Sequence, residues 1–199
     1  MPNWCYTTIT INHEDENKLK ELENKINELT SYNYTDNGFG LKWLGNIVGN
    51  SGIGTINENP ETDLRCRGSI TYIENFGEQI VIDTETAWTP MLRMWVKLLE
   101  KYLPDAELIY SAQECGCEIY STNDPCMVGR YMIDIWDYDE IGMEPECDAT
   151  ESFVVELLQN MLKTENNNID ELLKMFEESD FTEHMNIHKW DYDEVDIWD

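Results

Sequence analysis

A chain of 199 residues with 41 Asp and Glu against 13 Lys and Arg, a net charge of −28, lacks the cations that grip nucleic-acid phosphates or anionic membranes. Apolar residues make up 41%, with 7 Trp, 10 Tyr and 5 Phe, which excludes a disordered acidic polymer and suits one buried core with a satellite subdomain. No run of about 18 apolar residues marks a membrane span, and Met1-Pro2-Asn3-Trp4 lacks a signal-peptide pattern, so a cytoplasmic location is expected.

Residues 4–12 (WCYTTITIN) alternate, with Cys5, Thr7, Ile9 and Ile11 on one side, and predict a strand. Leu19, Leu22, Ile26 and Leu29 follow at helical spacing, behind Glu14, Asp15 and Glu16 at the end that favours acids. Residues 31–68 are rich in Asn, Gly and Thr and read as a long connection with a short strand near residues 41–47. Residues 69–74 and 79–84 predict a hairpin turning at residues 75–78. Pro90 opens a helix whose apolar face is Met91, Trp95, Leu98, Leu99 and Tyr102, and Pro104 stops it. Strands are expected at residues 107–112 and 118–121, around Gly116, and at 130–136.

Two amphipathic helices come next. Phe153, Val154, Leu157, Leu158, Met161 and Leu162 form one stripe, and Ile169, Leu172, Leu173 and Phe176 the other, with a turn at residues 166–168. The order β-α-β-β-α-β, then further strand and an αα-hairpin, predicts an α+β fold: a ferredoxin-like antiparallel sheet with a C-terminal extension. The expected domains are residues 1–140 and an acidic helical extension with its tail over residues 141–199.

The stretches Met1-Pro2-Asn3-Trp4-Cys5, Asp83-Thr84-Glu85-Thr86-Ala87-Trp88-Thr89-Pro90, Trp95, Tyr102-Leu103-Pro104 and Glu114-Cys115-Gly116 resemble the Api92-like proteins with a ferredoxin-like domain. These are small proteins of phages, plasmids and other mobile elements. The likeness spans about residues 1–125; Thr7 stands where the family usually has Asn, and the acidic tail lies outside the pattern. It implies a fold and a mobile-element origin but supplies no activity.

Motifs for chemistry are weak. Gly49-Asn50-Ser51-Gly52-Ile53-Gly54 lacks the Gly-Lys-Ser/Thr ending of a phosphate loop and reads as a flexible loop. His184 and His188 share helical metal-ligand spacing, yet no Glu follows His184 as in H-E-x-x-H, so surface histidines are expected. Cys115 and Cys117 would share one face of a strand, without the second pair that zinc requires. The six cysteines suit reduced thiols, and no EF-hand loop marks a calcium site. No nucleophile motif stands out, and carboxylates are too many for any pair to be singled out. No enzyme, metal or cofactor is expected.

What does stand out is where the charge sits. Residues 134–199 hold 21 acids against Lys163, Lys174 and Lys189, and the acids are interleaved with aromatics. Trp136-Asp137-Tyr138-Asp139-Glu140 recurs as Trp190-Asp191-Tyr192-Asp193-Glu194, and Asp134-Ile135-Trp136-Asp137 as Asp196-Ile197-Trp198-Asp199. In extended chain, Asp137 with Asp139, or Asp191 with Asp193, would lie about 6.8 Å apart on one face. Such a row resembles a phosphate backbone, and Trp and Tyr add stacking on Arg or Lys. The expectation is therefore a protein that does not itself bind nucleic acid. It would occupy the basic groove of a host nuclease or CRISPR effector, as a DNA-mimic inhibitor of the anti-CRISPR or anti-restriction sort. Asp134, Trp136–Glu140, Trp190–Glu194, Asp196, Trp198 and Asp199 would form the contact surface. The alternative is a non-catalytic assembly module that binds a protein partner through its apolar helices.

Overall fold

The computed structural model describes residues 3–56 and 63–195. It is a mixed α+β protein whose strands pair antiparallel. Two compact units form: one runs to Asp124 and resumes at Asp193, and the other is Pro125–Tyr192. Residues 125–140, grouped with the N-terminal part on sequence, cluster with the second unit. Among the described residues no helix is long and apolar enough to cross a membrane.

In the first unit β1 (Trp4–Asn12) buries Cys5, Thr7, Ile9 and Ile11, as the alternation predicts. Helix α1 (Glu16–Leu29) starts where the Asp15 carboxylate accepts the Asn17 N–H, and it buries Leu19, Leu22, Ile26 and Leu29. The connection after it departs from expectation. No strand forms over residues 41–47: Trp43 makes a single bridge to Ser69, and helix α2 (Leu44–Ser51) begins at the next residue.

Tertiary packing overrides the poor helix propensity of that segment. Leu44, Ile47 and Val48 lie on one helical face in the core, and buried Asn46 donates to the carbonyls of Gly40 and Leu41. The glycine run is thus half helix. Gly49 lies under the Tyr34 ring, where a Cβ would come within 2.2 Å of it, and Gly52 ends the helix at φ +67°.

Strands β2 (Gly68–Asn75) and β3 (Gln79–Ala87) form the expected hairpin. Helix α3 (Leu92–Tyr102) starts two residues after Pro90, whose carbonyl accepts the Leu92 N–H, and it buries Leu92, Met94, Trp95, Leu98 and Leu99. Strand β4 (Glu107–Glu114) leads through a tight turn at Cys115–Cys117 to β5 (Ile119–Thr122). Those two cysteines therefore sit in a 3₁₀ turn, not on one face of a strand. Within this unit the sheet order is β2-β3-β1-β4-β5, so β1 and β2 run parallel with β3 between them.

The second unit is built on β6 (Arg130–Ile135), flanked by β7 (Glu146–Thr150) and β8 (Met185–Lys189). Between β6 and β7 lies the single helical turn α4 (Tyr138–Ile141). Helices α5 (Glu151–Leu162) and α6 (Ile169–Glu177) form the αα-hairpin, capped by Thr150 and by Asn168. Tyr131, Ile133, Ile135, Val154, Leu158, Leu172, Phe176, Met185 and Ile187 make the core. Of the α5 stripe, only Val154 and Leu158 are fully buried. Phe153, in the first turn, is 43% exposed, because the helix buries a narrower face than its apolar arc.

Candidate interaction surface

The second unit carries 17 acids against Arg130, Lys163, Lys174 and Lys189, a net of −13 in 68 residues. Fourteen of the acids are exposed; Asp134, Asp137 and Glu146 are half-buried. The charge is therefore hung on a packed core. It follows the helix ends as well: Asp170 and Glu171 open α6, where the helix dipole favours them.

The first acidic-aromatic copy is a folded turn. Where β6 ends, the N–H groups of Trp136 and Asp137 both donate to the His184 carbonyl, at 3.1 and 3.3 Å. The Trp136 indole donates to the Glu183 carbonyl at 2.7 Å, leaving the ring 56% exposed. Asp137 Oδ1 accepts the Glu140 N–H, and Oδ2 lies 3.0 Å from His184 Nδ1. Because Tyr138–Ile141 is helical, Asp137 and Asp139 do not stand on one face of a strand, as extended chain would require. The turn instead presents Trp136, Tyr138, Asp139 and Glu140 to solvent, with Asp137 turned back as their clamp. Asp134 lies on β6 opposite Asn186.

The second copy is put to different use. Trp190 follows β8 as Trp136 follows β6, donating its N–H to the Arg130 carbonyl and its indole to the Cys147 carbonyl at 2.7 Å. Its ring is only 6% exposed. Asp191 and Tyr192 are exposed in a two-residue strand. Asp193 faces inward: its carboxylate accepts the Ser121 hydroxyl at 2.8 Å, its N–H donates to Thr122 O, and its carbonyl accepts the Tyr110 hydroxyl. Glu194 is exposed. Asp196, Trp198 and Asp199 lie outside the described residues.

The carboxylate pair at two-residue spacing occurs elsewhere, on the flanking strand β7. The Glu146 and Asp148 side chains hydrogen-bond, and that contact raises Glu146 above the usual carboxylate range. The Glu-Cys-Asp order was its only trace in the sequence.

His184 and His188 do not share a helix face: His184 ends a short turn and His188 lies on β8, opposite Met132. Among the described residues no three His, Cys, Asp or Glu side chains converge as a metal site. In the first unit His13, Lys18 and Asp105 do meet beside an open cleft that Asn12, Phe76 and Gln79 help to line. His13 Nδ1 accepts the Asp15 N–H at 2.8 Å, and Nε2 lies 3.2 Å from Asp105 Oδ2 and 3.3 Å from Lys18 Nζ. Both ring nitrogens are engaged within this cluster. Lys18 and His13 hold the Asp105 carboxyl down at about 2. Burial pushes the Cys66 thiol up to about 12, which makes it inert at neutral pH.

The fold and surface together define an α+β protein with a strongly acidic second unit. No family model, curated protein or solved structure matches the chain.

Proposed function

We propose that this is an acidic interaction protein that blocks a basic nucleic-acid groove on a partner protein. The observation that carries the reading is the second unit itself, with 17 acids and 4 bases on a buried core. Self-repulsion at that density costs stability, and a cationic partner would offset it. The turn at Trp136–Glu140 supplies the contact geometry: two exposed aromatics beside two exposed carboxylates, held by backbone bonds to His184. Tryptophan and tyrosine in such a frame suit stacking on Arg or Lys.

The sheet order β2-β3-β1-β4, with α1 and α2 between β1 and β2 and α3 between β3 and β4, favours the ferredoxin-like assignment. With the Api92-like resemblance, this points to a mobile-element protein acting in the cytoplasm of a bacterial host, as an anti-CRISPR or anti-restriction inhibitor without catalysis of its own. The test is competition: displacement of labelled duplex DNA from basic bacterial nucleases, including RNA-guided effectors. Expected is displacement that weakens at least roughly tenfold between low and physiological salt, and weakens again, about tenfold, in Trp136→Ala. Displacement that is flat in salt sinks the reading.

A second reading, an assembly module, has Phe153 and Met175 in its favour, both exposed on the αα-hairpin. It predicts association that Phe153→Glu abolishes and salt strengthens or leaves unchanged.

A further inference from the structure

Glu114 ends β4 with its side chain inside, 4% exposed. Its Oε1 accepts the Gly116 N–H at 2.9 Å, while Oε2 is buried with no hydrogen-bond partner among the described residues. A carboxylate removed from water and half satisfied carries a desolvation penalty that a donor would relieve. The hydroxyls on nearby rungs do not supply one. Thr86 donates to the carbonyl of Thr89, and Thr84 lies within bonding distance of Thr7 O.

A second oddity adjoins it. Trp88 has φ +75°, a conformation bulky side chains rarely adopt, and its ring is 44% exposed. Its N–H donates to the carbonyl of Asn3 at 3.0 Å. The Asn3 amide in turn rests on Gly116, 2.2 Å from where a Cβ would stand, and Glu114 Oε1 is 3.1 Å from that same point. Asn3, Trp88, Glu114 and Gly116 come from three distant stretches and meet at one end of the sheet.

We propose that Glu114, next to Asn3 over Gly116, is a binding site for a primary ammonium group. With Oε1 held by Gly116, a single oxygen remains, so a planar guanidinium fork has nothing to engage bidentately, whereas an ammonium needs one acceptor. The chain's net negative charge concentrates such cations around it. Access to Oε2 would require the half-buried Asn3 side chain to move off Gly116. The site is independent of the acidic second unit.

The probes are n-butylammonium and an Nα-acetyl-lysine amide, titrated into the full-length protein. The readouts are the Gly116 amide and Trp88 indole resonances, the latter assigned with Trp88→Phe. Saturable shifts are expected in wild type, weakened at least about tenfold in Glu114→Gln, with a melting curve run alongside to show that the variant is folded. Tighter binding of the lysine amide would assign the ammonium to a protein lysine, and tighter binding of butylammonium to a small amine. Neutral norleucine amide serves as the control. If it shifts the wild-type resonances as strongly, or if Glu114→Gln binds as wild type does, the proposal is overturned. The absence of any saturable shift overturns it too.

Discussion

Trp136 and Trp190 each follow the last residue of a strand, and each clasps the neighbouring chain through its backbone and indole N–H. Burial separates them. Trp190→Ala should cost about 3–5 kcal/mol by removing a buried indole, whereas Trp136→Ala should cost under about 1 kcal/mol; urea unfolding monitored by circular dichroism would tell the two apart. Gly68 is another position with no latitude, since a Cβ there would lie 2.3 Å from Glu85 O and 2.7 Å from Thr86 Cα. Both atoms are backbone on the paired strand, so Gly68→Ala should lose about 2–3 kcal/mol.

Asp105 and Glu146 titrate with opposite sign. The Asp105 carboxyl is depressed, so its stabilisation is present above its ordinary value near 3.8 and fades as pH falls through about 2. The melting temperatures of wild type and Asp105→Asn should therefore differ at neutral pH and converge towards pH 2. Glu146 is raised, so its favourable contribution belongs to low pH and is lost as pH rises through its folded value. Glu146→Gln should melt higher than wild type at neutral pH and lose that advantage in acid.

At the scale of elements, Asn168 accepts the N–H groups of Asp170 and Glu171 at the start of α6. Asn168→Ala should cost about 1 kcal/mol, read from chemical denaturation. Strand β1 and helix α1 were legible because their burial follows clean periods of two and 3.6. Helix α2 was not, because Gly and Asn mask a three-residue apolar face that only the packed core rewards. Strands β7 and β8 are five residues each and largely polar. Only Met185 and Ile187, the buried pair on β8, could have flagged it. The acidic-aromatic repeat was legible as sequence, but its two copies fold differently: Gly142 lets the first close into a helical turn, while in the second Asp193 is held by the Thr122 carbonyl. The orphan oxygen of Glu114 had no signal in the sequence at all, since it depends on which donors the fold brings near.

For the molecule as a whole, a net charge of −28 implies that added salt should raise the melting temperature through screening, even as it weakens any cationic partner's hold. The two trends have opposite sign, so one salt series read by melting and by competition separates intramolecular repulsion from intermolecular attraction. A protein whose acids were mere solubilisers would show the first trend alone.

The first unit stops at Asp124 and is completed only from Asp193, where a carboxylate, an N–H and a carbonyl reach Ser121, Thr122 and Tyr110. On the ribosome, 68 residues of intervening chain therefore emerge before that seam can be sewn. The first unit's last contacts can therefore form only after the whole of the second unit has been made.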